Sequence, residues 1–396
     1  MTLSGKTVLL GVSGGIAAYK SANVARLLMK QGAAVHVIMT PNATEFISPM
    51  TFEELTGHKC PVDTFNRNFE YSVEHVALAK QADVFLVAPA TANVIGKIRA
   101  GVADDMLTTT IMACSCPKIL APAMNSNMYL NPIVQDNLKA LADYGYVIVE
   151  PAVGMLANGD TGVGRMPDES VLVEAVIRTI GYEKDLAGKT VLITAGPTRE
   201  AIDPVRFISN HSTGKMGYAL ARAALHRGAK VILVSGPVSL TPPDGAETVS
   251  VVSAQEMFEA VSARADEADI VIMSAAVADY RPETAADEKI KKTDGPAVLT
   301  LARTQDILKT VGASKKPGQF LCGFAMESTD LLENARKKLK EKGADMIVAN
   351  SIRTPGSGFG TDTNQVILLT ESGEQELPLL SKEEVAHRIF DEIVKR

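Results

Sequence analysis

Short, continuous runs of apolar residues alternate along the chain with segments of mixed polarity. The first half contains three such runs, in TVLL from Thr7, GAAVHVIMT from Gly32 and ADVFLVAPATAN from Ala82. Runs of this length are typical of strands buried on both faces, and the segments between them are long enough for helices. The pattern predicts an α/β fold in which helices cover both faces of a mainly parallel sheet.

The same order of elements recurs in the second half. GKTVLLGVSGGIAAYK begins at Gly5 and GKTVLITAGPTREAIDPVRFISNHSTGKMG begins at Gly188, and each predicts a strand, a turn containing glycine and a helix. GAKVILVSG from Gly228 and ADIVIMSAAVAD from Ala268 match the second and third runs of the first half, and CPKILAPAMN and GADMIVAN predict further buried strands. We therefore predict two Rossmann-like, doubly wound domains, residues 1–188 and 189–396, which meet near the charged GYEKDLAGKT stretch.

Ligands of open parallel sheets bind at the carboxyl ends of the strands, so the residues directly after each apolar run are the candidates for a site. They are residues 13–15, 40, 88–93 and 121–125 in the first half and residues 196–198, 235, 274–279 and 350 in the second. A strand, a glycine turn and a helix N-terminus together direct free backbone N–H groups at a phosphate-sized anion. Two such turns of different construction predict two different phosphorylated ligands.

Composition limits the classes of function. The chain has 396 residues, of which 46% are apolar and 22% charged, as is typical of a globular protein of two or three domains. The formal net charge of −6 argues against a general nucleic-acid surface. The four cysteines have no paired spacing, no signal peptide precedes the first strand, and no apolar run approaches the roughly 18 residues of a membrane span. These features predict a cytoplasmic enzyme that binds neither nucleic acid nor membrane.

Two common nucleotide motifs do not fit the glycine turns. A dinucleotide site requires G-x-G-x-x-G and an acidic residue at the end of the second strand, whereas the first turn reads GVSGG and the second strands end in Thr40 and Ser235. TGKM is not a P-loop, because no Ser or Thr follows Lys215. A nicotinamide oxidoreductase is therefore disfavoured, although it is kept as an alternative.

Several motifs together resemble one family. GVSGGIAAYK, VEHVALAK, APATAN and PAMNSNMY in the first half are similar to flavin-dependent phosphopantothenoylcysteine decarboxylases. TAGPTREAIDPVRFISNHSTGKMG, AAVADYRP and EKIKK in the second half resemble phosphopantothenate–cysteine ligase. The fused arrangement covers essentially the whole chain and is similar to the bifunctional CoaBC family of bacterial coenzyme A synthesis. The PTREAIDPVRFISNHSTGKMG block is highly specific, whereas SGG alone would be a weak signal.

For the first half, the resemblance implies an FMN site at the carboxyl edge of the sheet. The implied contacts are Gly14, Gly15, Thr40, Thr91 and Asn93. A flavin explains how a cysteine carboxylate without an adjacent electron sink can be lost. Two-electron oxidation of the thiol to a thioaldehyde creates that sink, and loss of CO2 then leaves a stabilised enethiolate.

The resemblance also implies roles for three side chains of the first half. His75 matches the family's catalytic histidine, although without the family a surface histidine on a helix would be the simpler interpretation. Asn125 would hold the substrate carboxylate, or else it stabilises a turn at a strand end. At Asn158 the chain departs from the family, which carries a flap cysteine there that donates a proton during the final reduction. An amide has no comparable proton, so we expect FMN binding with impaired turnover, unless another group replaces the thiol.

For the second half, the resemblance implies activation of a carboxylate by CTP and Mg2+ through an acyl-cytidylate. Asn210 would steady the acyl group, and Lys289 would neutralise a phosphate or orient the second step. The residues implied to contact CTP are Met273, Ser274, Ala275, Asp279, Lys289, Gln305, Asp306, Ile307, Leu308, Phe324, Lys338 and Lys342. Lys338 and Lys342 lie four residues apart on one predicted helix face, where they could bind one triphosphate or simply be solvated. His211 and Lys215 are expected only to support their loop.

The implied substrates are 4'-phosphopantothenate, cysteine and CTP. The resemblance also implies a homo-oligomer, a dodecamer built from decarboxylase trimers and ligase dimers. A flavin-binding scaffold or regulatory module fused to an active ligase is the alternative that Asn158 keeps open.

Overall fold

The structure is a computed structural model and describes residues 1–65, 73–155, 159–291, 297–327, 331–351, 358 and 360–396. The predicted flap residue Asn158 lies outside these ranges. The chain divides into two compact units, Met1–Glu183 and Lys184–Arg396, and the division falls within the charged GYEKDLAGKT stretch.

The first unit is built around a parallel sheet of five strands in the order β2-β1-β3-β4-β5. Its strands are β1 (Thr7–Val12), β2 (Ala34–Met39), β3 (Val84–Ala90), β4 (Lys118–Pro122) and β5 (Val147–Ile148). Its α-helices are α1 (Ser21–Lys30), α2 (Pro49–Thr56), α3 (Glu74–Gln81), α4 (Ala92–Ala100), α5 (Met106–Ala113), α6 (Ser126–Tyr129), α7 (Pro132–Asp143) and α8 (Glu169–Val176).

Successive side chains of these strands enter two separate cores. Leu10 of β1 packs on one face of the sheet with Leu86 of β3, whereas Leu9 and Phe85 pack on the other face. All seven residues of β3 are buried. A strand buried on both faces requires apolar residues at every position, which is why these runs are continuous rather than alternating.

A β-hairpin follows this sheet and is anchored to the segment after β4. The hairpin consists of β6 (Ala152–Met155) and β7 (Thr161–Arg165). Met124 donates its backbone N–H to the Gly164 carbonyl at 2.9 Å, and the Ser126 hydroxyl donates to the Val163 carbonyl at 2.7 Å. The hairpin is therefore tied to the PAMN segment that contains Asn125.

The second unit has an eight-stranded sheet in the order β12-β11-β8-β13-β16-β17-β19-β20, parallel from β12 to β17 and antiparallel at β19 and β20. All the strands of this unit are β8 (Thr190–Ala195), β9 (Arg199–Ala201), β10 (Phe207–Ser209), β11 (Lys230–Ser235), β12 (Ala246–Ser250), β13 (Ile270–Met273), β14 (Tyr280–Pro282), β15 (Leu301–Arg303), β16 (Phe320–Glu327), β17 (Met346–Ser351), β18 (Thr363–Asn364), β19 (Val366–Thr370), β20 (Gly373–Glu376) and β21 (Leu380–Ser381). The helices are α9 (Lys215–His226), α10 (Ala254–Ser262), α11 (Ile307–Ala313), α12 (Leu331–Glu341) and α13 (Lys382–Val394).

A carboxylate closes the amino edge of the sheet in both units. Asp83, directly before β3, accepts the backbone N–H of Thr7 at 2.7 Å. Asp269, directly before β13, accepts the backbone N–H of Thr190 at 2.8 Å. In each unit the aspartate thus supplies the acceptor for the first N–H of the leading strand.

The predicted α/β class with mainly parallel sheets is confirmed. In the part of the chain that the structure describes, no helix is both long enough and apolar enough to cross a bilayer.

Candidate functional site

The second unit contains a cavity of about 770 Å³ at the carboxyl edge of its sheet. Twelve of the predicted ligase residues line it, and they come from five separate segments of the chain. These residues are Asn210, Met273, Ser274, Ala275, Asp279, Gln305, Asp306, Ile307, Leu308, Phe324, Lys338 and Lys342. A cavity of this volume is in the range that holds small-molecule ligands.

The glycine loop before α9 forms one wall of the cavity. Gly214 has φ of 78°, which favours glycine, and it directly precedes the first turn of α9. A Cβ at Gly217 would lie 2.5 Å from the Cβ of Ala195 and 2.8 Å from the Ser274 hydroxyl. Glycine at position 217 therefore lets α9 approach the ends of β8 and β13 closely, so its N-terminus lies at the cavity.

Asn210 holds the loop that follows β13. Its amide nitrogen donates to the carbonyls of Ala276 at 2.9 Å and Val277 at 3.2 Å. Both amide hydrogens are thereby used, and the side-chain oxygen is the polar atom left for a ligand. In this conformation Asn210 shapes the cavity wall and can offer a ligand only an acceptor.

Ser274 and Asp279 lie on the same loop but differ in how their polar atoms are engaged. The Ser274 hydroxyl donates to the Thr194 carbonyl at 2.6 Å, and the Thr194 hydroxyl accepts the Ala275 N–H at 3.1 Å. The Asp279 carbonyl accepts the Thr304 N–H at 3.0 Å, while the Asp279 side chain is exposed. Asp279 is therefore placed to meet a polar ligand group at the cavity mouth.

Lys338 of α12 and Lys342, directly after the helix, both have partners at the cavity wall. Lys342 forms an ion pair with Asp306, whose carboxylate also accepts the N–H of Lys309 at 2.9 Å. Burial raises the pKa of Asp306, but these hydrogen bonds outweigh it and the pKa is lowered. Lys338 donates to the Phe324 carbonyl at 2.7 Å. A phosphate that binds both ammonium groups would therefore compete with Asp306 for Lys342.

Lys289 lies outside the cavity lining. The segment around it is tied to the buried carboxylate of Asp203, which accepts the Ile290 N–H at 3.2 Å, the Val205 N–H at 2.9 Å and the Arg206 N–H at 2.8 Å. The Lys289 side chain is exposed. Its predicted role at the ligand thus stays a prediction.

Three cationic side chains of the cavity were not predicted as ligand contacts. Lys215 begins α9, Arg303 ends β15 and Lys382 begins α13. With them, the described residues of the lining include five basic side chains and two acidic ones. This local excess of positive charge contrasts with the net charge of −6 of the chain and favours a polyanionic ligand.

In the first unit, a buried serine joins the two turns that end β1 and β3. The Ser13 hydroxyl donates to the Pro89 carbonyl at 2.8 Å and accepts the Thr91 N–H at 3.1 Å, and it lies 3.2 Å from the Thr91 hydroxyl. Thr91 also caps α4 by accepting the Val94 N–H at 3.5 Å. The Thr91 side chain therefore serves mainly to fix the geometry of the predicted flavin edge.

Two features of the first unit, at Thr40 and at Gly14, fit a bound cofactor. The Thr40 hydroxyl is buried directly after β2 and has no hydrogen-bond partner among the described residues. A Cβ at Gly14 would lie 2.5 Å from the Cβ of Asn42, so only glycine allows the two turns to approach each other. This edge of the sheet therefore combines an unsatisfied buried hydroxyl, a glycine turn and the first turn of α4, where Asn93 is exposed. These features fit a polar cofactor, because such a cofactor would supply the missing hydrogen-bond partner.

The remaining predicted residues of the first unit lie at helix starts. His75 is half-buried in the first turn of α3. Asn125 caps α6, since its side-chain oxygen accepts the Asn127 N–H at 2.9 Å, and its amide nitrogen remains as a donor for a ligand. The position of Asn125 is therefore compatible with both predicted roles, as a ligand of the substrate carboxylate and as a residue that stabilises a turn.

Comparisons with known proteins agree across the whole chain. The family model described as Flavoprotein matches residues 1–181, and that described as DNA/pantothenate metabolism flavoprotein C-terminal domain matches residues 186–396. The coenzyme A biosynthesis bifunctional protein CoaBC of Bacillus subtilis (strain 168) is 51% identical over 395 residues, which cover 99% of this chain and 97% of that protein. This chain belongs to the CoaBC family.

Other CoaBC relatives show the same full-length match. The CoaBC protein of Escherichia coli (strain K12) is 43% identical over 399 residues, which cover 100% of this chain and 98% of that protein. A crystal structure of the C-terminal domain of a CoaBC protein is 50% identical and covers 54% of this chain and 97% of that chain, with a TM-score of 0.47. The two family models and the full-length CoaBC relatives confirm the resemblance noted in the sequence and the prediction of a bifunctional enzyme with a flavoprotein domain.

The three cationic lining residues that sequence reasoning missed lie in two kinds of segment. Lys382 and Arg303 sit in segments with no glycine turn or family motif, and only the folded sheet brings them to the cavity. Lys215 stands in the most specific motif, but its neighbours gave no sign that it lines the cavity. Its ammonium donates to the Gly360 carbonyl and to Asp362, both at 2.7 Å, so it ties the start of α9 to the segment before β18.

Proposed function

We propose that this chain converts 4'-phosphopantothenate to 4'-phosphopantetheine in coenzyme A synthesis. The second unit would ligate cysteine to phosphopantothenate with CTP, and the first unit would decarboxylate the product with FMN. The observation that carries the proposal is the basic cavity of the second unit, which gathers twelve predicted ligase residues in a chain that belongs to the CoaBC family. We also expect a cytoplasmic homo-oligomer, the dodecamer of trimers and dimers that the resemblance implies.

The ligase reaction would proceed in two steps. The carboxylate of phosphopantothenate attacks the α-phosphorus of CTP and releases pyrophosphate, which leaves an acyl-cytidylate. The amine of cysteine then attacks the acyl carbon, the C–N bond forms, and CMP leaves with the electrons of the acyl–oxygen bond. Both steps concentrate negative charge, so lysines such as Lys338 and Lys342 would stabilise the phosphates.

Magnesium would enter this cavity together with the nucleotide. In the described part of the chain, no group of three or more His, Cys, Asp or Glu side chains could hold a metal ion. This agrees with the usual magnesium site, in which phosphate oxygens and water supply most ligands and the protein adds one or two carboxylates. Of the two lining carboxylates, Asp306 pairs with Lys342, so the exposed Asp279 would be that ligand.

In the first unit, Gly14, Gly15, Thr40 and Asn93 would hold the FMN. When bound, the flavin supplies a two-electron acceptor for the cysteine thiol, which makes loss of the carboxylate possible. The chain's own residues would orient the substrate: the amide nitrogen of Asn125 remains free to donate to the carboxylate, and Ser13 fixes the turns on which the cofactor rests.

The identity of residue 158 decides how the decarboxylase half performs. Asn158 has no acidic proton, so a first unit that binds FMN but completes the final reduction slowly is the alternative function. We predict that Asn158→Cys raises the rate of flavin reoxidation on phosphopantothenoylcysteine by at least about tenfold, measured by rapid-mixing absorbance. Asn158→Ser is the matched control, because a hydroxyl is far less acidic than a thiol and should leave the rate low. Rapid reoxidation by the unchanged chain would contradict this alternative.

Product analysis tests the function as a whole. The purified chain is incubated with phosphopantothenate, cysteine, CTP and Mg2+, and the products are identified by mass. Phosphopantetheine shows that both units turn over, and phosphopantothenoylcysteine alone shows an active ligase with a blocked first unit. The absence of both products would refute the proposed function.

A further inference from the structure

Lys382 is a buried lysine at the ligase cavity to which no role has been assigned. It is the first residue of α13 and only 7% of its surface is exposed, yet it lines the cavity. It stands 14 positions before Arg396 in a segment that carries no ligand motif. A lysine this deeply buried is unusual, because burial of an ammonium removes its hydration.

The partners of Lys382 are neutral oxygens. Its ammonium donates to the carbonyls of Gly358 at 3.0 Å and Thr361 at 2.6 Å, and its backbone N–H donates to the Asp362 carbonyl at 2.9 Å. The nearby Asp362 carboxylate instead accepts the ammonium of Lys215. Within the described residues, Lys382 therefore has no carboxylate as a hydrogen-bonding partner, and two of its three ammonium hydrogens are used.

The charges near Lys382 do not fully compensate for its burial. Burial lowers the pKa of Lys382, the nearby charge of Lys215 lowers it further, and the charge of Asp362 raises it without cancelling these effects. If the only task were to hold Gly358 and Thr361, a neutral donor could do so without this penalty. An anion that enters the cavity would supply the missing charge and could accept the third ammonium hydrogen.

We propose that Lys382 binds a phosphate-bearing substrate in the ligase cavity, while the same ammonium anchors the cavity wall at Gly358 and Thr361. This inference rests on the proposed function for the identity of the substrate, which would be CTP or phosphopantothenate. The chemistry required of the ligand is only an anionic phosphate oxygen. The C-terminal helix α13 thereby becomes part of the ligand site.

The test distinguishes the effect of the positive charge of Lys382 from the effect of its hydrogen bonds to the cavity wall. Lys382→Gln retains hydrogen-bond donors for a carbonyl but removes the charge, and Lys382→Arg retains the charge. Lys395→Gln is the matched control, because Lys395 lies at the other end of α13 and its ammonium pairs with Glu392 at 3.0 Å. Calorimetric titrations of the full chain use CTP with Mg2+, phosphopantothenate and inorganic tripolyphosphate as three separate probes, and thermal unfolding without ligand is recorded for every variant.

We expect Lys382→Gln to weaken binding of at least one probe by about tenfold or more, as for the loss of one charge-assisted hydrogen bond. Its melting temperature without ligand should equal or exceed that of the unchanged chain. Weakened CTP or phosphopantothenate binding identifies the substrate that Lys382 contacts. A weakened response to tripolyphosphate alone, with neither substrate bound by the unchanged chain, supports the anion site and refutes the proposed substrates.

Unchanged affinities for all three probes in Lys382→Gln would overturn the inference, as would a lowered melting temperature with unaltered affinities. If Lys382→Gln does not fold, the affinity of Lys382→Arg for tripolyphosphate tests the proposal instead. Its retained charge should keep tripolyphosphate affinity within about threefold of the unchanged chain, and a larger loss would also overturn the proposal.

Discussion

At the scale of single residues, two buried hydroxyls of the first unit differ in whether their hydrogen bonds are satisfied. Ser13 is fully buried and joins Pro89 and Thr91, whereas the Thr40 hydroxyl is buried with no partner among the described residues. A satisfied buried hydroxyl stabilises the fold, while an unsatisfied one destabilises it until a ligand supplies the partner. Substitutions of Ser13 and Thr40 can therefore distinguish an effect on the stability of the fold from an effect on cofactor binding at the same sheet edge.

We predict that Thr40→Val leaves the flavin-free protein equally stable, or more stable by up to about 1 kcal/mol, and weakens FMN binding by about tenfold. Ser13→Ala is the control and should destabilise the flavin-free protein by about 1–2 kcal/mol, because a buried carbonyl and a buried N–H lose their partner. Denaturant unfolding and fluorescence titration with FMN measure the two effects. An unchanged FMN affinity in Thr40→Val would show that its hydroxyl does not face the cofactor.

At the scale of elements, the packing of α9 against α13 buries two histidines. The rings of His226 and His387 are nearly parallel at 8°, with centroids 5.9 Å apart. Burial, together with the charges of His226 and Arg227, lowers the pKa of His387 to about 4, while Asp391 and Asp185 act in the opposite direction. The helix pair thus favours a neutral His387 in the folded state.

This lowered pKa predicts an acid-sensitive second unit. An unfolded histidine has a pKa near 6.5, so between that value and the folded pKa of about 4 the unfolded state binds more protons. The stability is therefore full above pH 6.5 and falls by up to about 3 kcal/mol as the pH is lowered toward 4. Calorimetry between pH 7.5 and 4.5 should show a shallower decline for His387→Gln. His211→Gln, at an exposed position, should follow the unchanged chain, and parallel declines for all three proteins would refute the assignment.

The strands of the sheets were the most predictable elements. The runs in TVLL, ADVFLVAPATAN and GADMIVAN are continuous because strands such as β3 are buried on both faces, and this requirement is visible in the sequence. The short antiparallel strand pairs β9–β10 and β14–β15 were not predicted, because strands of three residues leave no periodic signal.

The candidate site was predictable where a motif stands beside a strand end or matches the family. Asp279 follows the predicted strand in ADIVIMSAAVAD, whereas Phe324 was implied by the resemblance, and the structure places both in the cavity lining. Lys382 and Arg303 reach the same cavity from a helix start and a short strand, so their position depends on the tertiary fold and not on local pattern. The exposed Lys289 shows the converse, since a motif residue need not line the cavity.

At the scale of the whole molecule, each compact unit has its own cores and its own candidate site. The clusters around Leu10 and Phe85 belong to the first unit, and those around Ile193 and Val271 belong to the second. All residues that line the ligase cavity come from the second unit. The two chemical steps should therefore be physically separable.

We predict that a fragment of residues 184–396 folds and forms phosphopantothenoylcysteine from phosphopantothenate, cysteine and CTP at a rate within about threefold of the full chain. Circular dichroism reports folding, and mass analysis reports the product. The full chain assayed in parallel is the control. A folded fragment that lacks ligase activity, beside an active full chain, would show that the first unit contributes to the second reaction.

Asp83 and Asp269 carry a consequence for the origin of the molecule. Both carboxylates accept the first N–H of the leading strand of their unit, at 2.7 and 2.8 Å, on the edge of the sheet that faces away from the candidate sites. At the ligand edge, the two units have different turns and different polar groups. Duplication of one ancestral α/β unit would leave such a pattern, because changes accumulate where new substrates are recruited while the contact that sets the strand register is inherited twice.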